Sequence, residues 1–379
     1  MPPPASAPDR EPEHEPTTPV TEPPAGETPE PPTREKRLAP RVLARNADAA
    51  ERGSAPSRAA RWLWVFGTLA IAAGVAGVVS AIVEVGPTWL DQVSAILLST
   101  TLTFALAART GGRPYIFGGL ALVFGAVAVI TGSESLRGGA ALLTAVSAGV
   151  LGVMATVPAV RFRDSVREVL VALFLSSLGA LAVIGFRPVV SLERFDYLTL
   201  TLAFLLAIGL VFRLGAGLHG LGRRGLVIVL AGFVSLAVTL VYAELLRRYG
   251  SQEMVDSIYD GVRWFRGHAG AVPRPIHALV GVPALVWGTH MRARRRQGWW
   301  VCAFGTAVTV SVAGILVNPV TGWLEAGLIV LYSLLPGLLV GYVLIRLDLA
   351  LTGPRGSRAR RQEELGALRP EPARWQPLL

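Results

Sequence analysis

Apolar residues run in ten long blocks between Trp62 and Ala350, and the polar residues between them fall in short connectors. A helix needs about 20 apolar residues to cross a bilayer at a rise of about 1.5 Å per residue. The blocks predict transmembrane helices near 62–83, 90–108, 114–132, 139–160, 167–186, 195–213, 225–246, 275–290, 298–317 and 326–349, the eighth being the shortest. The expected fold class is therefore all-α: a polytopic bundle of about ten spans over residues 62–349. A disordered tail, 1–61, precedes it and a short basic tail, 350–379, follows it.

The arginines orient the spans. Alternate connectors carry Arg109 with Arg113, then Arg161, Arg163 and Arg167, then Arg213, Arg223 and Arg224, then Arg292, Arg294, Arg295 and Arg296. The intervening connectors carry none (83–90), Arg137 alone, Arg187 with Arg194, and none (318–325). Connectors rich in Arg and Lys stay in the cytoplasm. The rich set shares a side with both tails, as an even number of spans requires, so both termini are expected to be cytoplasmic.

One connector departs from this alternation. Arg247 to Arg274 is long, lies on the external side and carries five arginines. Within it Met254, Val255, Ile258, Val262 and Phe265 recur at helical spacing, with Glu253, Asp256, Asp260 and Arg263 elsewhere on the wheel. Ser251 suits an N-cap and Gly267 a C-terminal stop. This predicts an external amphipathic helix over 250–267, lying on the membrane face with Trp264 and Phe265 at the interface. It either closes the bundle as a plain surface helix or covers an external cavity as a lid.

Composition changes the picture little. Hydrophobic residues make up 52% of the chain and charged residues 16%, whereas a water-soluble domain is about a quarter charged. The net charge of +10 does not point to nucleic acid, because the arginines sit at membrane edges, where they meet anionic headgroups. Lys36 is the only lysine, and with abundant Ala and Gly this bias suits a GC-rich bacterial genome and hence a bacterial cytoplasmic membrane. Cys302 is the sole cysteine, which excludes an intrachain disulfide and a cysteine metal cluster. The first 61 residues have no aromatic side chain and are rich in Pro and Glu, so they cannot bury enough apolar area to offset the entropy of ordering. Acidic residues come first in this tail, up to Glu30, and basic ones follow from Arg34 to Arg61. The basic half is expected to lie along anionic headgroups and the tail to tether a cytoplasmic protein partner. Thr18-Pro19 and Thr28-Pro29 suit a proline-tolerant kinase.

Candidate chemistry is sparse. Gly215 to Gly220 spells GxGxxG, but a membrane helix stands on each side where the dinucleotide fingerprint needs a strand and a soluble helix. No cofactor or metal motif is recognised. Ionisable residues are nearly absent from the middle of the spans, which argues against a carboxylate proton relay. The external edge gathers Glu84, Asp91, Glu134, Glu193, Asp196, Glu244, Glu253, Asp256, Asp260, His268, His277, Asn318 and Glu325. A transferase using a lipid-linked donor needs carboxylates there as base or metal ligand. Its catalytic candidates are Glu84, Glu244 and His277, although a lone interfacial histidine is more often a hydrogen-bonded packing residue. His290 reads as a boundary residue on the cytoplasmic side. Small residues at Gly305, Thr309 and Ala313, and at Gly337 and Gly341 beside Pro336, predict close helix approach and a kink.

Three functions fit: a non-catalytic accessory or scaffold component of the cell envelope, which the long tails favour; a small-molecule or lipid transporter; and a membrane transferase acting at the external face. Two inverted five-helix repeats would fit a transporter, but the long loop after the seventh span has no counterpart after the second.

Overall fold

The computed structural model describes residues 58–216, 222–295, 297–352 and 371–378. The tail with its two charge halves and its Thr-Pro pairs, and most of the GxGxxG turn, lie outside the described residues. Among those described, every regular element is helical: α1 Arg58–Ile82, α2 Leu90–Arg109, α3 Pro114–Thr131, α4 Glu134–Met154, α5 Phe162–Gly185, α6 Leu192–Val211, α7 Gly222–Tyr249, α8 Gln252–Ala269, α9 Val282–Arg292, α10 Gly298–Ala303, α11 Thr306–Thr309, α12 Ser311–Val317 and α13 Trp323–Thr352. The chain divides at Trp62–Leu63, and the bundle belongs to the second unit.

Eight described stretches are long and apolar enough to cross a membrane, namely α1 to α6, the α10–α12 run and α13. The other two expected spans are less regular. The apolar part of α7 is confined to Val229–Tyr242. The eighth span is a π-helical turn, His277–Gly281, leading into α9. Pro283 explains the turn: it has no N–H to offer, and its ring collides with the carbonyl four residues back, so the backbone widens there. Ten crossings are compatible with this bundle.

Contacts between helix ends gather several of the connectors at two ends. The C-terminal ends of α2, α4 and α9 and the start of α5 meet at one end: Arg109 donates from Nε to the Met154 carbonyl at 3.0 Å, and the Ala159 N–H donates to the Thr289 carbonyl at 3.0 Å. At the opposite end the start of α2 meets the end of α5, where Arg187 pairs with the buried Asp91 carboxylate and donates to the Thr88 carbonyl at 3.1 Å. We call these the arginine-rich end and the acid-bearing end.

The core follows from small residues on facing helices. Ala95, Leu98 and Leu102 of α2 and Ala141, Ala145 and Ala148 of α4 are almost wholly covered. The Ser99 and Thr144 hydroxyls join across the two helices at 2.7 Å, so the hydroxyls of the second span are used in part for packing. Glycines set the spacing around α9. An added Cβ at Gly337 or Gly341 of α13 lies 2.6 Å or 2.7 Å from the Cβ of Val282 or Val286, and one at Gly288 meets the Cys302 sulfur at 2.7 Å. The expected Gly337/Gly341 seam therefore carries α9, and α13 runs unbroken through Pro336. At the periphery, α1 and α3 leave most of their apolar side chains uncovered by protein, as lipid-facing helices do.

The helix expected over 250–267 spans Gln252–Ala269. Ser251 caps it by accepting from the Met254 N–H at 3.3 Å, as its position predicted. Gly267 does not end it; Gly270, at φ +80°, does. The left-handed conformation that closes the helix is open to a glycine at little cost. Met254, Ile258, Val262 and Phe265 remain uncovered on their apolar face. Arg266 ties the helix to Glu325 of α13 at 2.8 Å.

The end of the C-terminal tail is described over residues 371–378. These residues pack on the arginine-rich end, bonded to Arg109 and Arg292.

Candidate functional site

The most buried span is also the least regular. The run Gly298–Val317 breaks twice, at Phe304–Gly305 and at Val310. At the first break the Phe304, Gly305, Ala307 and Val308 N–H groups each reach back three residues rather than four, at 2.8 to 3.1 Å. This is the tighter 3₁₀ pattern, which in mid-helix accompanies hinges or strain. Close packing accounts for it locally: an added Cβ at Gly305 falls 2.3 Å from Leu285 and one at Gly281 falls 2.6 Å from Val308. Thr306 and Thr309 are fully covered, and Thr309 lies against Gly149 and Gly152 of α4. Two irregular segments, the π turn at 277–281 and the broken run, thus pack side by side at the centre.

At the acid-bearing end four polar residues converge on this pair. Arg274 Nη1 lies 3.5 Å from Asp196 Oδ2 at the start of α6. The Arg274 N–H donates to Ser333 Oγ of α13 at 2.8 Å, and Ser333 donates in turn to the Ile329 carbonyl at 2.7 Å. His277 follows three residues after Arg274, and its N–H donates to the Arg274 carbonyl at 3.1 Å. Its ring is fully buried and neither nitrogen has a protein partner, and the Asp196 Oδ1 oxygen is likewise buried and unpartnered. A buried polar atom without a partner costs about 1–3 kcal/mol, so an added polar group would gain by binding here. Gly314 admits the Asp196 carboxylate, since a Cβ there would lie 1.7 Å from Oδ1.

Of the three candidates from the sequence, two have described side chains, Glu84 and His277. His277 is buried, and the expectation of a hydrogen-bonded packing histidine is corrected by its two unpartnered nitrogens. Glu84 is exposed in the α1–α2 turn at φ +58°, with no contact to His277 among those described. Glu244 lies on α7, and its side chain is outside the described residues. Asp91 is consumed by Arg187. Asp196, which the sequence showed only as one acid among thirteen polar residues, pairs with Arg274, whose carbonyl accepts from the His277 N–H; Arg274 is 78 positions away, and no local pattern announces that.

The arginine-rich end holds a second polar cluster. Arg109 and Arg292 are 1% and 0% exposed, though both sit at helix ends where arginines normally reach water. Arg292 donates to Thr156 Oγ1 at 2.7 Å and to the Thr156 carbonyl at 3.1 Å, pairs with the Glu371 carboxylate, and lies 3.4 Å over the Trp299 ring. Glu168 accepts from the Val157 N–H at 2.9 Å and from Arg374 at 2.7 Å. His290, in the last turn of α9, is buried among these helices at 3% exposure.

No group of histidine, cysteine and carboxylate side chains among the described residues has the arrangement of a metal site. No protein-family model matches this chain, and comparisons with curated proteins and with solved structures give no match.

Proposed function

We propose that this protein is a transporter of a small molecule or lipid, working through its two irregular central spans. The observation that carries the reading is the break of the most buried span into α10, α11 and α12 beside the π turn of the eighth span. Discontinuous helices at the centre of a bundle free main-chain groups for a ligand, and glycine contacts without interlocking side chains let neighbouring helices slide. The buried, unpartnered atoms of His277 and Asp196 are the polar groups such a ligand meets from the acid-bearing end. The arrangement of the arginines supports a bacterial cytoplasmic membrane with the arginine-rich end and both termini in the cytoplasm. The acid-bearing end then faces outward, with α8 on the outer surface. The basic half of the N-terminal tail contacts anionic headgroups and leaves its acidic half for a cytoplasmic protein partner. That tail is also what an accessory or scaffold role would use.

The test needs no substrate. Thr306→Cys and Thr309→Cys, each in a Cys302→Ser background, are placed in oriented vesicles and exposed to a membrane-impermeant maleimide from either side. A transporter gives labelling from both sides at one or both positions. Protection from both sides at both positions would sink the reading and leave the accessory role.

A further inference from the structure

The arginine-rich end is built as a receptor for a segment of the same chain. Residues 371–378 enter between α2, the α4–α5 turn and α9. Arg109 Nη1 donates to the Ala373 and Gln376 carbonyls at 2.7 Å and 2.6 Å, and the Leu378 N–H returns to the Arg109 carbonyl at 2.8 Å. Arg374 donates to the Ala155 carbonyl at 2.9 Å and to Glu168, while Glu371 supplies the carboxylate for Arg292. Three guanidiniums thus face two carboxylates. Arg109 reaches only neutral carbonyls, at Met154, Ala373 and Gln376, and its Nη2 is buried without a partner.

We propose that the recess of Arg109 and Arg292 is a binding site for a phosphate-bearing ligand, for which Glu371 of the C-terminal segment is the resident substitute, so that ligand binding and segment release are coupled. The chemistry follows from acceptor count and charge. One carboxylate has two oxygens and a single charge, and here it is spent on Arg292. A phosphate group offers three or more oxygens and a charge of about −1.5 to −2, and guanidiniums bind it in paired N–H contacts. It can therefore satisfy Arg292 and the spare Arg109 donor together. Glu168 does not compete for the two arginines, because the Val157 N–H keeps it turned to the α4–α5 turn. The cation over Trp299 is positioned from below by the ring, leaving its edge for the anion. This site lies at the arginine-rich ends of the two central spans and stands whether or not those spans transport.

The full-length chain is tested in nanodiscs of phosphatidylcholine. Pro377 is exposed and Cys302 is buried, so Pro377→Cys takes a spin label selectively and reports release of the segment. Inorganic phosphate is titrated against chloride at equal ionic strength, and a parallel set of discs contains phosphatidic acid without free phosphate. Phosphate is expected to mobilise the label where chloride does not; mobilisation by phosphatidic acid alone identifies a lipid headgroup as the source. Glu371→Gln, and a chain ending at Pro370, should bind the probe about tenfold more tightly, as expected if displacing the segment costs about 1.4 kcal/mol. Three results overturn the proposal: phosphate bound with the label unmoved, affinity unchanged in both variants, or no binding of either probe to any of the chains. Should the shortened chain fail to fold, Glu371→Gln decides.

Discussion

The two ends of the bundle both contain an arginine paired with a carboxylate, yet they use it differently. At the acid-bearing end Arg274 and Asp196 meet at 3.5 Å with 31% and 38% of their side chains exposed, and buried polar atoms beside them stay unpartnered. At the arginine-rich end Arg292 is wholly covered and has a carboxylate, a hydroxyl, a carbonyl and an indole ring around it. A guanidinium taken out of water must have its hydrogen bonds supplied by the protein. That demand is met in large part at one end by drawing in a distant stretch of chain, with Arg109 Nη2 and Arg292 Nε left over, and is avoided at the other by staying half exposed. The arginine-rich end is held closed by a segment of the same chain; at the acid-bearing end no such segment covers Arg274 and Asp196 among the described residues.

The largest effect that would break this contrast is the loss of Arg292. Arg292→Ala strands Glu371 and the Thr156 carbonyl in a covered site, and a fall in stability of about 3–5 kcal/mol is expected, read as a drop in Tm in nanodiscs. Arg274→Ala, the matching change at the other end, should cost no more than about 1 kcal/mol. Similar losses for both would mean that the two ends are built alike. Gly314→Ala comes next. Its Cβ collides with Asp196, and the overpacking should cost about 1–3 kcal/mol in the same thermal measurement, with relief in the Gly314→Ala/Asp196→Ala double variant.

His277→Leu sharpens the comparison in the other direction. Replacing a buried, unpartnered imidazole by an apolar side chain should leave stability unchanged or raise it by about 1 kcal/mol, while two-sided labelling at Thr306→Cys or Thr309→Cys diminishes. A destabilised variant would show that His277 serves packing. The smallest effect is expected on α8, where Arg263 and Asp260 pair one turn apart with 75% and 69% of their side chains exposed. Arg263→Ala should change Tm by an amount equivalent to about 0.5 kcal/mol or less.

Much of the bundle was legible because apolar length is a local property. Helix boundaries near 90–108 and 114–132 fall within a residue or two of Leu90–Arg109 and Pro114–Thr131. The amphipathic helix was legible from the spacing of Met254 to Phe265, and its N-cap from Ser251, both set within one or two turns. Its end was misplaced because Gly267 and Gly270 are both glycines, and only the backbone at Gly270 takes the left-handed turn. The π turn had a local signal that went unused, Pro283 eight residues after Pro275. The site was far less legible. Glu84 and His277 stand out in a list of external residues, but nothing along the chain says that one stays in a surface turn and the other is buried beside Arg274.

The sequence by itself determined that the chain is an all-helical bundle and located the long apolar helices able to cross a membrane. Those properties follow from continuous apolar length and from where charge is tolerated, and each is settled within one segment and its flanks. Only the tertiary structure decided that Asp196 pairs with Arg274, that the most buried span is broken, and that Arg109 is bound by a carbonyl 264 positions away. The physical reason is burial. Once packing removes a guanidinium from water, it must take whichever acceptors the fold brings within reach, and sequence distance has no part in that choice.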